Sequence, residues 1–184
     1  MSILNGFISS VGASPSVVRM SGDGDDIIVG DADTTFHADA DNNIAIGIDA
    51  LDSTSGAALQ NIAIGTDSLT ALTLGDYNVA IGYGSGAALS NSVASSVMIG
   101  RQALGQATTG VDNCVAIGYR SMYGDFGTAS VQDCVAVGFS SLRGVLTAGA
   151  NGTIAIGTSA LYALTSGAGN VAIGYQAADA ITTT

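Results

Sequence analysis

The segment Asn170-Val171-Ala172-Ile173-Gly174 is the last of a series of near-identical stretches that runs through most of the 184-residue chain. Each stretch has a small or polar residue, a β-branched aliphatic residue, usually alanine, a second β-branched residue and then glycine. Eight clear copies end at Gly47, Gly65, Gly82, Gly100, Gly118, Gly138, Gly157 and Gly174, and a degenerate copy ends at Gly30. The eight glycines are separated by 18, 17, 18, 18, 20, 19 and 17 residues. This spacing indicates an architecture built by repetition.

Each copy predicts one short β-strand, because β-branched residues favour extended backbone and alternate here with a small residue. The glycine permits the turn that follows the strand. A second apolar residue stands four positions after most of the glycines, at Leu51, Leu69, Leu104, Met122, Leu142 and Leu161. A five-residue strand cannot bury its apolar side alone, so we expect the copies to stack in parallel. We therefore predict an all-β parallel β-solenoid, or β-roll, with eight to nine rungs of 17–20 residues.

The repeats divide the chain into three parts. Residues 1–25 contain no clear copy, and they hold the chain's one proline, so we interpret them as an N-terminal anchor that docks on a larger surface. Residues 26–178 form the predicted solenoid. Residues 179–184 form a short polar C-terminal cap.

Stacking should align equivalent residues into columns along the rod. The first position of the copies forms one such column, with members Asn43, Asn61, Asn78, Ser96, Cys114, Cys134, Thr153 and Asn170. In-register amides in this column can hydrogen-bond from one rung to the next. The alanine side of each strand suits either a tightly wound interior or a close contact between chains. We expect a threefold contact there, which makes the predicted molecule a homotrimeric rod.

Composition argues against several classes of function. The net charge is −11, so binding to the phosphate backbone of a nucleic acid is not expected. No apolar run approaches the ~20 residues that span a bilayer, and the first fifteen residues show no secretory signal. The chain has 26 glycines, 29 alanines and no tryptophan, so its core must be assembled from small side chains.

The pattern Asn-Val-Ala-Ile-Gly-Tyr-x-Ala at Asn170–Ala177 resembles a known repeat. It is similar to the head repeats of trimeric autotransporter adhesins and to repeats of bacteriophage tail-fibre and virion-spike proteins. The resemblance covers about residues 26–178 and implies a left-handed parallel β-roll that assembles as a trimer. Adhesin repeats are typically shorter than those of this chain. Such adhesins also carry a signal peptide, a coiled-coil stalk and a membrane barrel, none of which is visible here.

We therefore expect a non-enzymatic virion structural protein of a bacteriophage. The expected form is a trimeric capsid decoration, either a cement protein or a head spike. Its N-terminal segment would dock on the major capsid protein or on another virion component. Assembly is expected in the host cytoplasm, with display on the virion surface and with no cofactor, nucleic-acid partner or membrane partner. The alternative is a short phage tail fibre or adhesin-like protein that binds a host surface glycan.

Enzymatic interpretations find little support in the residues. His37 is the chain's one histidine and is flanked by aspartates, but no nucleophile signature such as G-x-S-x-G accompanies it. We expect it at a surface or an interface. Hexapeptide acyltransferases also have coils of eighteen residues, yet the aliphatic residue at every sixth position is missing here. Asp49 and Asp67 should lie in a stack rather than across a cleft, as glycoside hydrolysis would require. No catalytic residue is assigned.

The acidic segment Asp23–Asp41, which holds seven of the fifteen aspartates, is the candidate region for a metal ion. Ser21–Val29 resembles one unit of a Ca²⁺-binding nonapeptide β-helix repeat, and carboxylates suit that ion. The next unit does not match. We expect a solvated acidic cap or docking surface, and we assign no metal site.

Two further columns concern thiols and aromatic residues. Cys114 and Cys134 occupy the same position of consecutive rungs and are expected to be free, buried thiols. The position after the glycine forms the column Ile48, Thr66, Tyr83, Arg101, Tyr119, Phe139, Thr158 and Tyr175. We expect this aromatic column to pack between chains or, in the alternative interpretation, to contact sugars.

Overall fold

The computed structural model describes residues 17–20, 26–30, 40–54, 56 and 58–183, and these form fourteen β-strands and one short 3₁₀ helix, Ala148–Ala150. The strands are β1 Val17–Met20, β2 Ile27–Gly30, β3 Ile44–Ile46, β4 Ile62–Ile64, β5 Leu74–Asp76, β6 Val79–Ile81, β7 Asn91–Ala94, β8 Val97–Ile99, β9 Val111–Asp112, β10 Val115–Ile117, β11 Val131–Gln132, β12 Val135–Val137, β13 Ile154–Ile156 and β14 Val171–Ile173.

The strands form two sheets that wind together as a parallel β-solenoid of about eight turns. The larger sheet has ten strands in the order β1-β2-β3-β4-β6-β8-β10-β12-β13-β14, and the smaller has the order β11-β9-β7-β5. Equivalent residues of successive copies lie opposite each other, as Ala116 does opposite Ala136. The predicted all-β parallel solenoid is therefore confirmed.

The first strand departs from this pattern. β1 belongs to the predicted N-terminal segment and pairs antiparallel with β2, so that Val17 lies opposite Gly30. This pairing joins part of residues 1–25 to the first rung of the larger sheet. Residues 1–16 and 21–25 lie outside the described residues.

The alanine side of the strands points into the solenoid. The middle residue of each copy is buried within the single chain, and the members of this column are Ala45, Ala63, Ala80, Met98, Ala116, Ala136, Ala155 and Ala172. The expectation that the alanine face makes a threefold contact between chains is therefore wrong. The physical reason is the narrowness of the coil, because the interior of most rungs already receives a leucine or methionine from the turn.

The apolar residues four positions after the glycines do fill the core, as the sequence predicts. Leu51, Leu69, Leu104, Met122, Leu142 and Leu161 are all buried in one cluster with the alanine column. Each adopts a left-handed backbone conformation, with φ between 49° and 55°. This conformation costs a non-glycine residue roughly 1–2 kcal/mol, so burial of the side chain must offset it in every rung. Where the leucine is missing, Gly86 keeps the same conformation with φ 61°.

The three asparagines at the start of the predicted column form a hydrogen-bonded ladder. The side-chain nitrogen of Asn61 donates to Oδ1 of Asn43 at 3.1 Å, and that of Asn78 donates to Oδ1 of Asn61 at 3.1 Å. Asp26 begins the ladder, since its Oδ1 accepts from the side chain of Asn43 at 3.2 Å. Asn61 also donates to the carbonyl of Gly75 in β5 at 2.7 Å. Each buried amide therefore joins two successive rungs and, through the same nitrogen, connects the larger sheet to the opposite side of the coil.

The glycine that ends each strand lets neighbouring rungs approach backbone to backbone. Gly118 has φ 127°, and a Cβ added there would lie 2.5 Å from the carbonyl oxygen of Gly138 in the next rung. No side chain fits this space. The glycine is thus required both by the backbone conformation and by the distance to the next rung.

We predict that Asn61→Ala destabilises the fold by about 2–4 kcal/mol, because it leaves the Gly75 carbonyl and the backbone N–H of Asn78 buried without their partner. Thermal or denaturant unfolding monitored by circular dichroism measures this loss. Asn170→Ala is the matched control, since Asn170 is half-buried and bonds locally to the carbonyl of Gly167. The control should lose less than ~1 kcal/mol. Equal losses in the two variants would contradict the ladder's role.

A second prediction concerns the strand-ending glycines. Gly118→Ala should destabilise the solenoid by about 3–5 kcal/mol, because the added methyl group meets the backbone of the next rung and φ is unfavourable. Gly127→Ala is the control, since Gly127 also has a positive φ, 56°, but a Cβ there meets nothing within 4 Å. Its expected cost is about 1 kcal/mol. Similar unfolding midpoints for the two variants would show that close approach is not the cause.

Candidate functional site

The outward side of the larger sheet is a continuous aliphatic surface. Each of the nine parallel strands contributes two outward side chains, one from each end of its three-residue motif. We call this surface the aliphatic face, and its members are Ile27, Val29, Ile44, Ile46, Ile62, Ile64, Val79, Ile81, Val97, Ile99, Val115, Ile117, Val135, Val137, Ile154, Ile156, Val171 and Ile173. All are half-buried or exposed, and the last two are 66% and 67% exposed. The face carries no polar side chain.

The outward side of the smaller sheet has a different composition. Asp76, Asn91, Asp112 and Gln132 lie on its strands and are half-buried or exposed. Water can solvate these groups, whereas it gains nothing from contact with the aliphatic face. The surface of the smaller sheet is therefore mixed, with polar side chains beside the exposed Leu74, whereas the outward surface of the larger sheet is aliphatic.

Tyrosine and arginine side chains alternate along a band outside the aliphatic face. The guanidinium of Arg101 lies 5.5 Å from the ring centre of Tyr83 and 5.6 Å from that of Tyr119. Arg120 continues the band at 5.2 Å from the ring of Tyr119 and 4.8 Å from that of Tyr123. These distances are within the range of cation–π attraction. The band follows from stacking, because residues at equivalent positions of successive rungs lie one strand spacing apart.

The predicted aromatic column is present at the surface and provides the first part of this band. Tyr83, Phe139 and Tyr175 are exposed, and the rings of Tyr119 and Phe139 stack with centres 5.3 Å apart. What these side chains contact outside the chain stays a prediction.

A surface cleft of about 390 Å³ lies at the end of the band. Tyr123, Arg143 and Tyr162 line it, and each stands five positions after the closing glycine of its repeat. The guanidinium of Arg143 is 5.7 Å from the ring centre of Tyr123 and 5.4 Å from that of Tyr162, and its Nη1 donates to the Tyr162 hydroxyl. No motif in the sequence marks this cleft, although aligning the fifth position after each glycine shows the Tyr-Arg-Tyr series.

The two cysteines are free and buried, as the sequence predicts. Cys114 and Cys134 precede β10 and β12, which pair directly. A hydrogen bond to Cys134, together with burial, raises the pKa of the Cys114 thiol far above its ordinary value, and the same hydrogen bond lowers the pKa of Cys134. Burial of both side chains, rather than the pKa of either, keeps reagents away from the sulfur atoms.

The other predicted site residues are dispersed or lie outside the described residues. His37 is outside them, as is most of the acidic segment Asp23–Asp41. Asp26 is buried at the start of the asparagine ladder. Asp49 and Asp67 occupy equivalent turn positions of successive rungs, where the Asp67 N–H donates to the carbonyl of Ile48 at 3.0 Å. In the described ranges, no group of three or more His, Cys, Asp or Glu side chains is placed to hold a metal ion.

No protein-family model, curated protein sequence or solved structure matches this chain. Over the part of the chain that the structure describes, no helix has the length and apolar character needed to cross a membrane.

We predict that neither cysteine reacts with a thiol-specific disulfide reagent in the native protein. Both side chains are fully buried, so a reagent in solvent reaches neither sulfur atom, even though the hydrogen bond from Cys114 lowers the pKa of Cys134. The rate should not rise between pH 7 and pH 9, whereas two thiols per chain should titrate in concentrated guanidinium. Rapid modification of one thiol in the native state would contradict the buried pair.

Proposed function

We propose that this chain is a structural rod that associates with further copies of itself through the aliphatic face, as a homotrimeric decoration protein on a bacteriophage capsid. The observation that carries the proposal is the aliphatic face itself. A solenoid that acts alone in water has no need for eighteen outward Ile and Val side chains on one sheet. The resemblance of the repeats to those of virion spikes and adhesin heads supports a trimer and a virion setting.

The dimensions of the aliphatic face support an interface. Eight strand spacings of about 4.8 Å make it about 38 Å long. A width of roughly 10–15 Å then gives an apolar area on the order of 500 Å² per copy, comparable to the largest apolar patches that soluble monomers expose. A second copy of this chain is a suitable partner, because its rungs repeat at the same spacing and its aliphatic ridges can fit between those of the first.

The net charge of the chain also favours association of copies through the aliphatic face. Each copy carries a net charge of −11, so close contact between copies is favourable only where acidic side chains are absent from the interface. The aliphatic face has no charged side chain. Association through it leaves the acidic groups solvated on the outside, where they would keep neighbouring particles apart.

Attachment to a capsid is assigned to the N-terminal segment. Val17–Met20 already pairs with the first rung, so a deletion that tests docking should spare β1. In this proposal, a chain without residues 1–16 remains a folded trimer but no longer cosediments with capsids.

The trimer is tested with Ile81→Glu combined with Ile117→Glu, which places charges on two strands of the aliphatic face, β6 and β10. We predict that the wild-type chain sediments at three times its chain mass and that the double variant sediments as a monomer, because a buried, unpaired carboxylate opposes association. Analytical ultracentrifugation at micromolar concentration measures both masses.

Leu74→Glu is the matched control, since Leu74 is exposed on the smaller sheet and lies outside the aliphatic face. It should remain a trimer. A monomeric wild-type chain, or a double variant that keeps the wild-type mass, would overturn the proposed interface.

A further inference from the structure

The cleft beside Tyr123, Arg143 and Tyr162 lies where the repeat is longest. The spacing from Gly118 to Gly138 is 20 residues and that from Gly138 to Gly157 is 19, so these two rungs carry extra turn residues. Asp125 and Val145, which line the cleft, belong to these longer turns. The cleft is therefore a local departure from the regular rod.

Two glycines that line the cleft let successive rungs approach backbone to backbone there. A Cβ added to Gly124 would lie 2.2 Å from the carbonyl oxygen of Gly144, and one added to Gly144 would lie 2.0 Å from that of Leu164. The backbones of three rungs therefore meet here with no intervening side chain. The volume of about 390 Å³ is within the range of small-ligand sites and suits one or two sugar rings.

Arg143 is held in the cleft as a fixed cation. Its guanidinium lies between the rings of Tyr123 and Tyr162, and the Tyr162 hydroxyl accepts a hydrogen bond from Nη1. Its Nε is buried and has no hydrogen-bond partner among the described residues. A guanidinium held in this way loses little rotational freedom on binding and still has N–H donors to offer.

The surroundings select the charge of a ligand. Arg101, Arg120 and Arg143 are three of the chain's four cations, and all three lie along the tyrosine band that ends at the cleft. The band and the cleft together hold three guanidinium groups, with the Asp125 carboxylate beside them, on a chain whose net charge is −11. A carboxylate is the anion whose planar geometry matches a guanidinium.

Polar groups beside the arginine suit hydroxyl groups. Gln106 offers a carboxamide that both donates and accepts, and Asp125 offers a carboxylate whose Oδ1 already accepts from the N–H of Gly127 at 2.9 Å. Neighbouring acceptors and donors of this kind match vicinal ring hydroxyls. A simple carboxylic acid would leave them unused.

We propose that this cleft binds a carboxylated sugar, such as a uronic acid unit of an acidic polysaccharide, with the carboxylate on Arg143 and the ring hydroxyls on Gln106 and Asp125. The site lies outside the after-glycine column for which the sequence suggested sugar contact. It also goes beyond the proposed structural role, and it does not depend on attachment to a capsid.

The probe is digalacturonic acid. Its dimethyl ester is a control that keeps the sugar rings but has no negative charge, and acetate is a control that has the carboxylate but no sugar ring. Saturation-transfer NMR measures binding, and the fluorescence of the six tyrosines, in a chain without tryptophan, gives a second readout. We expect saturable binding of digalacturonic acid in the millimolar range, as befits a small polar ligand. The ester and acetate should bind at least about tenfold more weakly.

Arg143→Gln should weaken binding of digalacturonic acid at least about tenfold. Arg101→Gln is a close control, because Arg101 also lies between two tyrosine rings, at 5.5 and 5.6 Å, but outside the cleft. It should bind as the wild type does. Should Arg143→Gln fail to fold, Tyr162→Phe removes only the hydroxyl that positions the guanidinium and should weaken binding while keeping the melting temperature.

Three results would overturn the site. They are the absence of saturable binding to the wild-type chain, equal binding of acetate or the dimethyl ester, and equal losses in Arg101→Gln and Arg143→Gln. The last would show that the probe responds to the overall charge of the surface rather than to the cleft.

Discussion

Close approach of successive rungs at the strand-ending glycines is the constraint on which the rest of the molecule depends. At Gly157, a Cβ would lie 2.3 Å from the carbonyl oxygen of Gly174, and equivalent contacts recur in rung after rung. This spacing leaves no room for a slip in register, because a shifted strand would bring a side chain against the neighbouring backbone. The columns of equivalent residues along the rod are in register because the glycines align.

The distribution of large and small side chains follows from the narrowness of the coil. Where the turn supplies Leu104 or an equivalent leucine or methionine, the opposing strand presents a residue the size of Ala116, and the larger Met98 is accommodated beside Gly86, where that side chain is missing. The β-branched residues that favour the strand, such as Val115 and Ile117, must therefore point outward. The fold thus decides which side of each strand faces outward, and self-association would remove the aliphatic residues on that side from water.

Much of this architecture is predictable from the sequence, because every copy of the repeat has the same pattern of residues and so predicts the same local structure. The strands, their parallel stacking and the amide ladder at Asn43, Asn61 and Asn78 all followed from alignment of the copies. The direction of the two strand faces did not follow, since alternation with a period of two is symmetric between inside and outside. The sequence pattern alone does not distinguish alanines that fill a narrow interior from alanines that form a contact between chains.

Other features lacked a local signal altogether. Left-handed backbone at Leu51 and its equivalents is not marked by glycine or asparagine, because burial of the side chain compensates for the strain. The strands of the smaller sheet, such as Leu74–Asp76 and Val111–Asp112, share no repeated motif. They are set by the length of each coil and by the carbonyls that must meet the asparagine ladder, as that of Gly75 meets Asn61.

A repetitive rod of this kind can form a local binding site where the repeat is irregular. Along most of the chain the fifth position after the glycine is small or acidic, as at Asp52, and the surface there is uniform. In the two longest rungs the same position holds Tyr123 and Arg143, and the added turn residues shape a cleft around them. A stacked column fixes a guanidinium between aromatic rings without a dedicated scaffold, because the rung spacing already matches the thickness of such a stack. The regular fold therefore supplies the rigidity, and the irregular turns supply the site.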